Sequence, residues 1–341
     1  MTYSNYRRQR INIWQLIILI FLGVSCSQEN QGQEISALKT KVNTIVAEAA
    51  NGAYGEIHSL LVFKNNELIA EEYFGAYDAD SLHFQYSVTK SISSLLVGIA
   101  MDQGRLSTVD QKLYELFPEY SNDIAHWTDQ KAGMTLKDVL TMSAGYQWDE
   151  WTYTYTDTRN DANKLIRSDD LMKFVLDLPM AYEPGSRFTY NSGCSMLLSG
   201  IVQNSTGMSL ESFAKTNLFD KLGITKWRWE QGKDGKFNSG WGLHLRPRDM
   251  LKIGKMVLSG GVWEGQRIVS EDWLRASQTN HISNYGYQWW LSTDFFSARG
   301  WGGQVIAIVP SEDLVIVTTA GNFSGGNPAG IRIVNQLIGL R

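Results

Sequence analysis

Cysteine is scarce in this chain of 341 residues: there are two, Cys26 and Cys194. An excess of one charge is missing as well, since 31 Lys and Arg stand against 35 Asp and Glu for a net charge of −4. No basic face for nucleic acid is therefore indicated. No internal repeat or low-complexity tract interrupts the order of elements. The one strongly apolar run, Ile11–Leu22, is too short to span a membrane comfortably as a helix. What remains is a globular composition with 43% hydrophobic and 19% charged residues, enough for two lobes sharing a cleft.

The apolar run has a different use. Arg7, Arg8 and Arg10 precede it, the small residues Gly23, Val24 and Ser25 follow, and then comes Cys26. This order resembles a bacterial lipoprotein signal, with cleavage before Cys26 and lipidation of its thiol. The usual leucine lies one place early, as Leu22, and a plain secretory signal with an incidental cysteine is the alternative. On the lipoprotein reading, residues 1–25 are removed, 26–34 are a polar tether, and 35–341 are the folded domain. The protein would then be exported and held at the membrane through Cys26. Cys194 would be the sole remaining thiol, with no internal disulfide open to it, and is expected to be a small buried hydrophobe.

Within the domain, hydrophobic periodicity predicts helices at Ile35–Ala50, from Ser87 to the stop signal at Gly104, Thr135–Met142, Asp169–Leu178, Met196–Gln203, Leu210–Leu218, Arg248–Leu258, Glu271–Ser277 and Ile331–Leu340. Strands are expected at Glu56–Phe63, Leu68–Phe74, Tyr285–Leu291, Gln304–Val309 and Leu314–Thr319. The expected architecture is α/β of the α+β kind. An antiparallel sheet built from both chain ends (about 35–98 and 238–341) is flanked by the terminal helices, and a mostly helical lobe (about 99–237) is inserted.

Three stretches carry candidate chemistry. Ser87 and Lys90 are three residues apart at a helix start, so both lie on one face and the amine can reach the hydroxyl. A desolvated lysine can act as the base that serine needs to become a nucleophile. A bare S-x-x-K is frequent by chance, and an N-terminal Ser with a solvated Lys is the plain alternative. Tyr190 stands between a Pro-Gly turn and a helix. A nearby ammonium would lower its pKa and suit it to relay protons; a half-buried aromatic is the alternative. Gly300-Trp301-Gly302-Gly303-Gln304 runs into a strand, where glycines let a substrate lie close to the backbone. A simple hairpin turn is the alternative. The aromatic loop Tyr146–Tyr155, which includes Trp148, either rims the cleft or packs between lobes. Glu150 and His244 are possible polar cleft residues without an assigned role.

Taken together, the order and spacing resemble the serine β-lactamase and penicillin-binding protein superfamily. The branch is that of class C β-lactamases, D,D-carboxypeptidases, family VIII esterases and 6-aminohexanoate-dimer hydrolases. Ser87-Val88-Thr89-Lys90 is similar to the first motif and Tyr190-Asn191-Ser192 to the Tyr-x-Asn motif. Trp301-Gly302-Gly303 stands in the place of Lys-Thr-Gly or His-x-Gly. LLVGIAMDQG, EPGSRFTYNSG and GWGGQVIAIVPSEDLVIV resemble flanking phrases of this branch. The resemblance implies Ser87 as acylated nucleophile and Lys90 with Tyr190 as the base system. It places the N–H groups of Ser87 and Gln304 in the oxyanion hole, the latter to within a residue. Ser192, Trp301, Gly302, Gly303 and Trp148 would contact the substrate, an ester or amide of a small molecule or peptide. It implies no metal and no organic cofactor. Two departures stand out: Ser192 replaces Asn, and Trp301 replaces the cation that helps bind a substrate carboxylate. An indole carries no such charge, so weak β-lactam turnover and less anionic substrates are expected. A D,D-peptidase acting on cell-wall peptides and a non-catalytic ligand-binding member are the alternatives.

Overall fold

The computed structural model describes residues 13–323 and 329–340, with side chains from residue 32 onward. The strands are β1 (Ile57–Lys64), β2 (Glu67–Tyr73), β3 (His83–Phe84), β4 (Arg228–Trp229), β5 (Leu243–Leu245), β6 (Val262–Trp263), β7 (Gln266–Arg267), β8 (Trp290–Leu291), β9 (Phe296–Gly300), β10 (Gln304–Val309) and β11 (Leu314–Ala320). The helices are α1 (Ile13–Ala50), α2 (Val88–Asp102), α3 (Asp129–Gly133), α4 (Leu136–Leu140), α5 (Asp161–Arg167), α6 (Leu171–Leu176), α7 (Ser192–Thr206), α8 (Leu210–Ala214), α9 (Pro247–Leu258), α10 (Glu271–Ser277) and α11 (Ala329–Ile338).

Strands from both chain ends form one antiparallel sheet in the order β2-β1-β11-β10-β9-β8. β1, β10 and β11 are buried along their whole length. Such strands read as continuous apolar runs rather than alternating ones, because both sheet faces are covered. α1 and α11 cover one face, where Leu38, Val42 and Ile45 meet Ile333, Val334 and Leu337 over Leu60, Val62 and Ile316. α2 and α9 lie on the other face and join the sheet to the helices of residues 129–214 in a second, larger core. The Pro310–Asp313 link between β10 and β11 is a tight turn with Asp313 at φ 46°, as the hairpin signal suggested.

The structure corrects three expectations. α1 begins at Ile13, well before Ile35, and its backbone runs through position 26; the Cys26 side chain lies outside the described residues. Among the described residues, no helix is long and apolar enough to cross a membrane. The expected strand Tyr285–Leu291 shrinks to Trp290–Leu291, since Gly286 packs its backbone against Ser277. A strand missing from the sequence reading, Phe296–Gly300, takes the place beside β10. β10 therefore has neighbours on both sides, and its ladder groups are committed to them.

β9 is what brings the sheet to the cleft. β8 pairs with it only as far as Ser297, which leaves Ala298–Gly300 with an open edge. At Gly300 an added Cβ would sit 2.2 Å from the Gln85 carbonyl oxygen, so only glycine lets the strand end abut the approach to Ser87. We predict that Gly300→Ala destabilises the fold by about 1–3 kcal/mol through this overlap. It should appear as a lower urea midpoint with an unchanged m-value; an unchanged midpoint would refute the close approach.

Candidate active site

Ser87 occupies the N-cap of α2 in helical geometry, and its side chain caps nothing. The preceding Tyr86 has φ 46°, a left-handed conformation that costs a bulky residue about 1–3 kcal/mol. Its ring is held among Phe84, Trp301 and Phe323. The hydroxyl of Ser87 is thereby turned away from helix capping and toward Lys90, whose Nζ donates to Ser87 Oγ at 3.1 Å and to the Gly240 carbonyl at 2.8 Å. The same Nζ lies 5.2 Å from the centre of the Tyr190 ring and 5.9 Å from that of Trp241. The first three turns of α2 are buried all round, which is why Lys90 is only 1% exposed. Burial disfavours its ammonium form and pushes it down to about 8, partly offset by the negative charge of Glu150.

Tyr190 is delivered by the loop before α7, which Asn191 caps through Oδ1 accepting from the Cys194 N–H at 3.0 Å. Its phenol behaves opposite to the sequence expectation. Burial, and then Glu150, hold it well above the usual tyrosine range, and hydrogen bonding to Ser87 only partly offsets them. Its ring stacks on Trp290 at 5.7 Å and meets Trp151 at 5.6 Å. Tyr190, from a distant part of the sequence, therefore joins Ser87 and Lys90 at one point.

Two spaces open beside Ser87. A cavity of about 160 Å³ is walled by Phe84, Tyr86, Tyr155, Ile166, Trp241 and Trp301, without a charged side chain. On the other side Ser87 faces Tyr190, Trp290, Arg299, Gly300 and Trp301. Trp301, 40% exposed, thus stands at the cleft as expected. Ser192 lines the apolar cavity, but its hydroxyl donates to Glu150 at 2.8 Å.

The other expected contacts lie elsewhere. Gln304 is buried in β10, and its amide bonds to the backbone of Ala320 and to the Trp301 carbonyl. Its side chain therefore staples the strand ends, and its backbone, whose N–H was expected in the oxyanion hole, is paired with Gly300 of β9. Gly302 and Gly303, with φ of 85° and 107°, shape the β9–β10 turn; a Cβ on Gly302 would strike the Phe323 ring. Trp148 is buried, with its indole N–H on Glu150 at 2.7 Å. The aromatic loop splits accordingly: Tyr146 and Trp148 pack inside, while Trp151 and Tyr155 reach the cleft. His244 is engaged with Arg228 and Glu230 and stacks on Phe84. Cys194 is buried and unpaired, and burial raises its thiol.

Two residues at the site gave little signal in the sequence. Arg299 was hidden by the unread strand β9. It lines the cleft, bonds Ser297 Oγ at 2.8 Å, and meets no carboxylate among the described residues. The N–H of Trp301, just past the open end of β9, has no protein acceptor among the described residues, and neither does that of Ser87. Among the described residues, no group of three or more His, Cys, Asp or Glu side chains could hold a metal ion.

A beta-lactamase family model matches residues 44–336. The chain belongs to the beta-lactamase family. It is 27% identical over 291 residues to the 6-aminohexanoate-dimer hydrolase of Paenarthrobacter ureafaciens, covering 76% of this chain and 71% of that enzyme. The fold is that of a family VIII carboxylesterase, with a TM-score of 0.70 at 16% identity over 88% of this chain and 97% of that one. It is also that of the penicillin-binding protein homologue from Pyrococcus abyssi, with a TM-score of 0.67 at 17% identity over 89% and 77%. The chain is thus a hydrolase of the β-lactamase fold, as its motifs implied.

The burial of Lys90 has a stability consequence. Its folded pKa, about 8, lies below the ordinary 10.5, so below pH 8 the folded state carries a buried charge that the unfolded state carries in water. The resulting destabilisation is fully present at pH 7 and is relieved as pH rises from about 8 to the unfolded value. Lys90→Met is expected to raise stability at pH 7 by about 1–3 kcal/mol, a thermal midpoint gain of several degrees. A lower midpoint would contradict it.

Proposed function

We propose that this protein is a serine hydrolase that cleaves an ester or amide through an acyl-enzyme on Ser87. The convergence of Ser87, Lys90 and Tyr190 carries the reading. Neutral Lys90 accepts the Ser87 proton as Oγ bonds to the substrate carbonyl carbon. The carbonyl oxygen gains the electron pair and is held by the N–H groups of Ser87 and Trp301. The tetrahedral adduct then expels the leaving group, which takes the proton of the Lys90 ammonium through Tyr190, a neutral phenol suited to relay rather than to act as the resting base. Water repeats the sequence on the acyl-enzyme and frees Ser87. With Lys90 held near 8, only about one molecule in ten carries the free amine at pH 7, so kcat/KM should climb through about pH 8.

The apolar cavity suits an uncharged acyl group. Arg299 supplies, from a neighbouring position, the positive charge that Trp301 lacks, and it favours a carboxylate on the other side of the scissile bond. This revises the expectation of weakly anionic substrates and keeps a peptidase acting on cell-wall peptides in view as the second reading. We further propose that the chain is exported and anchored through a lipid on Cys26, which the order of basic, apolar and small residues before it supports.

A panel of p-nitrophenyl esters, nitrocefin and D-Ala-D-Ala peptides tests the assignment. Ser87→Ala should lose at least about 10³-fold in turnover of every substrate the wild type accepts; retained turnover would end it. Arg299→Gln should raise KM about tenfold for substrates with a carboxylate on the leaving group, and much less for neutral esters. Equal effects on both would dismiss the anion-binding role.

A further inference from the structure

One ionisable side chain at the site takes no part in the steps above. Glu150 is 3% exposed, and its carboxylate accepts four hydrogen bonds. Oε2 receives the Ser192 N–H and the Trp148 indole N–H, both at 2.7 Å. Oε1 receives the Ser192 hydroxyl at 2.8 Å and the Tyr155 hydroxyl at 3.2 Å. All four donors are neutral, and no cationic side chain bonds to this carboxylate among the described residues. A buried anion without a bonded cation is costly, and a neutral amide could make the same ties. The negative charge itself therefore calls for a use.

The nearby site supplies one: Ser192, which this carboxylate holds by two bonds, lines the same cavity as Ser87, and Gly240, whose carbonyl accepts from Lys90 Nζ, packs against the Ser192 carbonyl. When Lys90 takes the Ser87 proton it becomes an ammonium in a closed space. Around it are Ser87 on its own helix, the Gly240 carbonyl and Trp241 ring on the loop before β5, Tyr190 on the loop before α7, and Arg299 across the cleft on β9. None of these is an anion. Tyr155, Tyr285 and Cys194, the other titratable groups in the field of Glu150, are neutral. We propose that Glu150 is a positioning residue of this hydrolase. Its buried charge compensates the Lys90 ammonium formed on proton transfer, and its four bonds fix Ser192 and Tyr155 as the wall of the apolar cavity. The charge thereby makes Lys90 a strong enough base for serine. Its charge favours the ammonium form of Lys90 against the effect of burial. The inference rests on the Ser87 hydrolase reading.

Glu150→Gln separates charge from shape. The amide carbonyl can accept from the two obligate donors, the Ser192 and Trp148 N–H groups, while the NH2 meets two hydroxyls that can turn to accept. We expect the acidic limb of kcat/KM to move down by at least about half a pH unit and the high-pH plateau to fall with it, by up to about threefold for each half unit. Glu150→Asp should keep the limb of the wild type while raising KM, because the shorter side chain retains the charge and loosens the wall. A limb unmoved in Glu150→Gln overturns the proposal, as does a lower plateau without a shift. If that variant does not fold, a limb displaced by half a unit in Glu150→Asp overturns it. Fluorophosphonate labelling of wild-type Ser87 keeps the two questions apart. No labelling removes the hydrolase reading itself; labelling with an unchanged limb in Glu150→Gln removes only the role of Glu150.

Discussion

A lysine ammonium held out of water beside a serine hydroxyl is the constraint that the rest of the site serves. Lys90 has one bond to Ser87 and one to the Gly240 carbonyl, and nearly all of its surface is covered. Keeping water from it takes a buried central helix, the loop before β5, and the loop that carries Tyr190. These come from three separate parts of the chain. Burial alone does not make such a site. Lys131 is also fully covered and pushed down to about 8, yet its Nζ gives its bonds to the carbonyls of Ala125 and Leu176 and bonds to no hydroxyl among the described residues. The difference lies in what faces the amine.

The surrounding fold keeps that arrangement rigid. The sheet approaches through the open edge of β9, and Gly300 allows it to press on the segment before Ser87. The strained Tyr86 is clamped between rings from the β9–β10 turn and from Phe323. The polar residues of α2 are satisfied within the core. Ser91 bonds the Gln288 carbonyl, Ser93 the Ser239 carbonyl, and Thr89 accepts from the Leu243 N–H. The helix thus carries hydroxyls through an apolar core without leaving most of them unmatched. Aromatic side chains then finish the cleft, giving it one uncharged side and one side with a guanidinium.

Much of this was legible in the sequence because it depends on local pattern. The helix carrying Ser87 and Lys90, the β10–β11 hairpin and the helix at Glu271–Ser277 follow from periodicity and turn residues alone. Ser87 and Lys90 could be named from their spacing on one helix face, and Tyr190 from the Tyr-Asn-Ser run between a Pro-Gly turn and a helix. What escaped depends on tertiary context. Phe296–Gly300 is short and ends in Arg-Gly, so nothing local marks it as a strand; pairing with β10 does. Missing it placed the cleft edge one strand too far along, and with it the donor role on Gln304 and the substrate contacts on Gly302 and Gly303. The phenol of Tyr190 departs from expectation for a related reason: the lysine charge is legible in the sequence, but the depth of burial and the anion of Glu150 are not.

Direct titration of Lys90 bears on all of this. In protein labelled with 13C at lysine Cε, the Lys90 resonance, assigned by its absence from Lys90→Met, should titrate with a midpoint near 8. A midpoint at the ordinary 10.5 would mean that the amine is solvated in the folded protein and that the proposed base for Ser87 does not exist.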